Sequence, residues 1–256
     1  MTRRLALVLL LTCAALTLLV YGRALALPLY MDDVIFARYI EPLSLPEIFY
    51  RVGIVPYYRP LSLVPWKLIQ MAAGGFDAPL MHALNLIVHA FNGWLVGLLA
   101  LRLVVPARAG WRAWLLSFSA AIIYLIFPFS YQAVPWAAAL GHLMAASGAL
   151  IAALALLAWR ERDRRQLEAV QKPHPGLAAL RRPLSARDRR KSLWGGEGVG
   201  GEVIASRFSD RYPVFIWLGV AISVFSHENG AATVLLLCLP FALDPAWRRE
   251  RRKLLT

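Results

Sequence analysis

Two adjacent carboxylates, Asp32 and Asp33, stand in the stretch Tyr30-Met31-Asp32-Asp33-Val34-Ile35-Phe36, directly after an apolar run that begins at Leu5. They sit where a membrane span would surface. A carboxylate near hydrocarbon is costly, so one placed there is a functional-site hypothesis by default. The same stretch ends in Tyr57-Tyr58-Arg59-Pro60-Leu61, an arginine among aromatics. An aspartate can take the proton of a hydroxyl nucleophile, and an arginine can hold an anion through charge-assisted hydrogen bonds. Together they compose an anion-handling acid/base site. A solvated loop after a signal anchor has the same composition, and both readings stand on spacing alone.

Further polar residues lie where they cost most. His82, Asn85, His89 and Asn92 recur at intervals that place all four on one helical face inside an apolar run. Unsatisfied polar groups are expensive in hydrocarbon, so that face must look into a bundle. It serves either as glue between helices or as the wall of a polar cavity, with His82, nearest the surface, on the cavity side. His227 and Glu228 form a second ionisable cluster, in a turn that either reaches water or serves the site. Gln132, Trp136 and His142 add a polar edge, with His142 expected to be a satisfied interior histidine.

The elements that must position these groups follow from composition. The chain is 59% hydrophobic and 17% charged, with a mean hydropathy of +0.55. That is a polytopic membrane composition. The expected fold is an all-α bundle of about six transmembrane spans, with a long first extracytoplasmic loop carrying short interfacial helices. The net charge is +13, but no basic stripe is interleaved with exposed aromatics, which argues against nucleic acid as a partner. Cys13 and Cys238 both fall in apolar runs and read as small hydrophobes within spans.

In chain order, residues 1–158 form an N-terminal membrane module of four spans. The first is Leu5 to Val20, preceded by Thr2-Arg3-Arg4. Ala24-Leu25-Ala26 has the form of a signal cleavage site, but the spans that follow favour an uncleaved helix with a cytoplasmic N-terminus. Residues 28–80 are the first outside loop, broken by prolines at 28, 42, 46, 56, 60 and 65, with Leu61 to Ala73 as a short helix at the interface. The second span runs from Met81 to Val105, the third from Trp114 to Phe127, the fourth from Val134 to Trp159. Residues 159–212 read as a basic cytoplasmic loop, largely disordered, with a short amphipathic helix near Leu177 to Leu184. It holds 13 Lys/Arg and 7 Asp/Glu between residues 160 and 212, a balance that fixes topology and can touch anionic lipid head groups. Residues 213–256 form the last unit. The apolar run Pro213 to Leu243, as one helix, would span about 46 Å at 1.5 Å per residue, beyond a hydrocarbon core of roughly 30 Å. Both flanks are basic, so it reads as a hairpin turning at Ser226 to Gly230, with both chain termini cytoplasmic. This topology brings Asp32, Asp33, Arg59, His82, Gln132 and Glu228 to one membrane face.

In this order the motifs resemble those of integral-membrane glycosyltransferases of the GT-C class. Tyr30 to Phe36 resembles the acidic first-loop motif. Tyr58-Arg59-Pro60-Leu61-Ser62 resembles the Arg-Pro-Leu motif of the protein O-mannosyltransferase-like, TPR-bearing branch. His82-Ala83-Leu84-Asn85-Leu86-Ile87-Val88-His89-Ala90-Phe91-Asn92 is similar to that branch's His-x-x-Asn-x-x-x-His-x-x-Asn span, and Phe127-Pro128 and Ser226-His227-Glu228 follow in order. The resemblance covers residues 5–245. It implies sugar transfer from a polyprenyl-phosphate-linked donor to an acceptor protein, lipid or glycan on the extracytoplasmic side of a membrane, most simply a bacterial inner (plasma) membrane. It implies Asp32 as the catalytic acid/base group, with Asp33 orienting it or holding a divalent metal ion. Arg59, His82, Asn85, His227 and Glu228 would bind the donor phosphate or substrate. Phe127 stands where the family often has histidine, and His227 where it often has lysine, a stronger phosphate ligand. Family members usually continue through more spans, so the chain reads as the N-terminal part.

A non-catalytic polytopic protein on the same scaffold, binding a lipid-linked sugar or a partner subunit, is the second function the sequence allows. Transport is the weakest reading, because no inverted repeat and no charged residue deep within a span is present.

Overall fold

The computed structural model describes residues 3–51, 58–103, 110–128, 130–171, 211–227 and 230. Among them every regular element is helical. The apolar N-terminal run forms α1, Arg3–Tyr21, and tightens into a 3-10 turn at Gly22–Ala26. The loop that follows folds into three short helices: α2, Asp32–Ile40, α3, Glu47–Tyr50, and α4, Pro60–Ala73. The two acids in the first turn of α2 suit the positive end of its dipole. Pro60 takes the first position of α4, where no amide hydrogen is needed, and Gly74 ends it at φ 72°, a left-handed conformation open to glycine. The helix expected over Leu61 to Ala73 is present as α4.

The long α5, Ala78–Leu103, starts where Asp77 Oδ1 accepts the Leu80 N–H at 2.9 Å. Then come α6, Trp111–Leu125, and the single turn α7, Ser130–Ala133. A 3-10 turn at Ala137–Ala139 leads into α8, Leu140–Gln171. The helix thus begins several residues after the Val134 expected for the fourth span, because the preceding segment is used in turns. It also continues through the first part of the segment expected to be a disordered loop. Residues 160–171 contain neither glycine nor proline and are rich in good helix formers, and Glu161 meets Arg102 of α5 at 2.8 Å. The last described helix, α9, is Arg211–Ser226.

The long helices alternate in direction. Trp94 of α5 donates to the Ala6 carbonyl of α1, Tyr21 at the end of α1 donates to the Leu125 carbonyl at the end of α6, and the final turn of α9 lies against the start of α8. One end of the bundle therefore gathers the end of α1, the start of α5, the end of α6, the start of α8 and the end of α9, together with α2, α3 and α4. A core of Ile40, Leu43, Ile48, Trp66, Met81, Ala137 and Leu140 welds the short helices to that end. A second core, Leu9, Cys13, Ala121 and Leu125, joins α1 to α6.

The most extensive pairing is α8 against α9. Glycines permit it: a Cβ on Gly219 would lie 2.5 Å from the Gly148 carbonyl oxygen and 2.7 Å from the Ala152 nitrogen. Small residues at such crossings let backbones touch where packing, not hydrophobicity, drives association.

Among the described residues three helices are long and apolar enough to cross a membrane: Arg3–Ala26, Ala78–Leu103 and Ala137–Arg162. Trp111–Leu125 and Val214–Ser226 are apolar but shorter. Large apolar side chains face outward along α1, α6 and α9, among them Leu11, Leu19, Ile123 and Trp217, as expected of a membrane protein. Of the hairpin expected in 213–243, only the first helix and residues 227 and 230 of the turn fall among the described residues. The α9 helix stops at Ser226, the Gly230 N–H donates to the His227 carbonyl at 2.9 Å, and Ser223 Oγ donates back to the Gly230 carbonyl. The return half, Cys238, the Leu177 to Leu184 segment and Glu228 lie outside the described residues.

Candidate functional site

The two neighbouring acids have opposite environments. Asp33 is fully buried while Asp32 is exposed. Asp33 Oδ1 accepts the Ala138 N–H at 2.6 Å, and Oδ2 accepts the Tyr30 N–H at 3.2 Å. The Asp33 N–H in turn donates to the Tyr30 carbonyl. The carboxylate therefore locks the start of α2 to the 3-10 turn ahead of α8, across a sequence separation of 105 residues. Burial pushes the Asp33 carboxyl above the usual aspartate range. The two N–H bonds and the nearby His82 charge pull it back in part, and Asp32 adds like-charge repulsion.

Between the locked Tyr30 and Asp32 lies Met31, at φ 48° and ψ −117°, the one non-glycine residue with positive φ among the described residues. Such a conformation costs on the order of 1–3 kcal/mol and persists only where surrounding structure imposes it. Here the reciprocal Tyr30–Asp33 bonds impose it. The consequence is that Asp32 is presented to solvent on a fixed backbone. Nothing in the sequence around Met31 signals this turn.

The polar face of α5 is buried as expected, and most of it is consumed in holding the bundle together. Asn85 Nδ2 reaches the carbonyls of Ala133, Val134 and Trp136, the last at 2.7 Å. His89 Nε2 contacts the Leu125 carbonyl at 3.2 Å. Asn92 donates to the Leu143 carbonyl and accepts from Ser147 Oγ at 2.6 Å. Asn85 and His89 satisfy backbone carbonyls where a helix ends or the chain turns, and Asn92 ties α5 to the first turns of α8. His82 differs: it is fully buried, and neither ring nitrogen has a hydrogen-bond partner.

A second corner forms where α4, α8 and α9 meet. Arg59, half-buried, caps α4, and its carbonyl accepts both the N–H and Oγ–H of Ser62. A Cβ on Gly141 would fall 2.7 Å from the Ser226 carbonyl oxygen and 3.4 Å from Ser62 Oγ, so only glycine admits this meeting. Tyr58 packs edge-on against Phe225, with ring centroids 6.2 Å apart. His227, buried, lies on His142 with centroids 3.8 Å apart. His142 is exposed, contrary to the interior position expected for it, because the first turn of α8 stands at the rim of the bundle end. Gln132 is also exposed and bonds to Tyr131, apart from both corners.

Of the residues singled out by sequence, then, Asp33 and His82 come together at the α2–α5 corner, with Asn85 one turn below. Arg59, His142 and His227 belong to the elements of the α4–α8–α9 corner. Lys67 was not singled out: buried, it donates to the carbonyls of Ile40 and Glu41 at the end of α2 and to Gln70 Oε1 at 2.6 Å. Its only signal was a lysine inside an apolar helical stretch. Among the described residues no three His, Cys, Asp or Glu side chains gather as a metal set, and both oxygens of Asp33 are engaged by backbone N–H groups. Compared with models of known families, with curated proteins and with solved structures, the chain matches none.

Proposed function

We propose that the chain is a membrane glycosyltransferase of GT-C type, or its catalytic N-terminal part. It would transfer a sugar from a polyprenyl-phosphate-linked donor to an acceptor on the extracytoplasmic side. The observation that carries this reading is the division of labour at the start of α2. One acid is buried and spent on the backbone, while its neighbour is held exposed on a strained turn at the end where all the long helices converge. Asp32 is the general base that takes the acceptor hydroxyl's proton as that oxygen attacks the anomeric carbon. The bond from that carbon to the phosphate oxygen breaks, and the lipid phosphate leaves with its electron pair. Arg59 and the His227 corner face the departing anion, and Asp33 positions Asp32. In this reading the loop end is extracytoplasmic, both termini are cytoplasmic, and a sixth span completes the hairpin begun by α9.

The test is transfer of labelled sugar from a polyprenyl-phosphate donor in membranes holding the protein. Asp32→Asn should lower turnover by about 10²–10⁴ while leaving folding intact. Wild-type turnover in both Asp32→Asn and Asp33→Asn would refute the mechanism. A second reading, a non-catalytic scaffold that binds a lipid-linked sugar or partner, is favoured by the structural use of Asn85, His89 and Asn92. It predicts donor binding without turnover in the wild type.

A further inference from the structure

Four buried polar atoms near the junction of α5 with the turn before α8 have no hydrogen-bond partner: both ring nitrogens of His82, Oδ1 of Asn85 and Nε1 of Trp136. The residues that carry them are neighbours in the fold. His82 and Asn85 stand one turn apart on α5, Asn85 donates to the Trp136 carbonyl at 2.7 Å, and His82 lies near Asp33, which holds Ala138. Folded proteins leave few such atoms buried without a water or ligand to meet them.

The set is mixed in kind. An indole N–H only donates, an amide oxygen only accepts, and an imidazole donates from a protonated ring nitrogen and accepts at a bare one. A hydroxyl group both donates and accepts, so it can satisfy them. A phosphodiester only accepts, and it would meet the Asn85 oxygen and the Asp33 carboxylate with no hydrogen to offer. We propose that this corner is a site for a neutral hydroxyl. Water fills it in the closed chain, and a hydroxyl of a sugar or polyol replaces that water when the start of α2 lifts. The strained Met31 backbone lies at the point where that movement would occur. His82 and Asn85 are thereby assigned to the hydroxyl-bearing part of a substrate and not to its phosphate. Only the identity of that substrate rests on the transferase reading.

The test uses the full chain in detergent micelles, with indole nitrogens labelled for magnetic resonance and the Trp136 signal assigned by its loss in Trp136→Phe. The Trp136 Nε1–H should show a cross-peak to water. A methyl hexoside should shift it saturably, and dimethyl phosphate, a diester with no hydrogen to offer, should not at matched ionic strength. His82→Leu should weaken the hexoside response about threefold to tenfold, the range expected for one neutral hydrogen bond. If His82→Leu does not fold, the His82 ring signal followed in Trp136→Phe should show the same weakening. A response to dimethyl phosphate, or none to the hexoside, overturns the proposal. No transfer is assayed, so this site and the transferase mechanism fail separately.

Discussion

Replacing Asp33 by alanine removes the acceptor that joins α2 to the turn before α8, and the effect can be worked from its two bonds. Each N–H left without a partner costs about 1–3 kcal/mol. Tyr30 and Ala138 are only partly buried at these bonds, which places both toward the lower end. Against this stands the relief of no longer burying a carboxylate. That relief is real, because burial outweighs the bonds in setting the carboxyl above its usual range. The expected net loss is about 1–3 kcal/mol. Asp33→Asn keeps an oxygen for Ala138 but turns an amide N–H toward that of Tyr30, so it should lose less. The assay is unfolding by sodium dodecyl sulfate in mixed micelles. The sign with pH is also fixed. With the folded-state value raised, the folded chain binds more protons than the unfolded chain, so this group's contribution falls as pH rises through that value. Acidification toward the ordinary aspartate value of about 3.9 should therefore stabilise wild type relative to Asp33→Asn, which has no proton to take up there. Equal unfolding midpoints for wild type and Asp33→Ala, or a wild-type advantage that grows as pH rises, would refute the latch.

Lys67→Met keeps the buried stem but loses the bonds to the end of α2 and to Gln70; it should destabilise by about 1–3 kcal/mol in the same assay. Gly148→Val would drive a Cβ to 2.5 Å from the Ser223 nitrogen and 3.0 Å from its Cα. These are backbone atoms that cannot yield locally, so the cost should reach about 3 kcal/mol, with loosened α8–α9 packing seen as faster crosslinking or proteolysis in that pair. Cysteines placed at positions 45 and 190 of a chain with native cysteines removed should label from outside and inside the cell respectively. Outside labelling at 190 would sink the proposed orientation.

The sequence made the polar face of α5 legible because helical periodicity is strict: four residues at the right spacing must share a face whatever surrounds them. It did not reveal what that face does. Asn85 and His89 bond to the carbonyls of Ala133, Val134, Trp136 and Leu125, left open by a turn and a helix end whose positions no periodicity fixes, and Asn92 bonds to Leu143 and Ser147 of α8. The start of α8 shows the same limit. Apolar composition runs smoothly from Val134 onward, yet the chain turns through Ala137–Ala139 first, because Asp33 and Asn85 supply partners that make a non-helical backbone affordable there.

The acidic pair was visible as a pair, but its asymmetry was not. Two identical side chains in adjacent positions carry no signal for which is buried. That is decided by a contact from residue 33 to residue 138 and by a left-handed turn at a methionine. Any functional role for Asp32 therefore depends on residues remote from it in sequence. Changing the turn before α8 should disturb Asp32 as surely as changing its neighbour. Ala138→Pro deletes the N–H that Asp33 accepts while leaving the acidic motif intact. If Asp32 is the base and Asp33 its anchor, Ala138→Pro should lose transfer and lower stability as Asp33→Ala does, and the double variant should lose little more than either alone. Additive losses in that cycle would show that Asp33 and Ala138 act separately, and the latch would no longer explain how Asp32 is held.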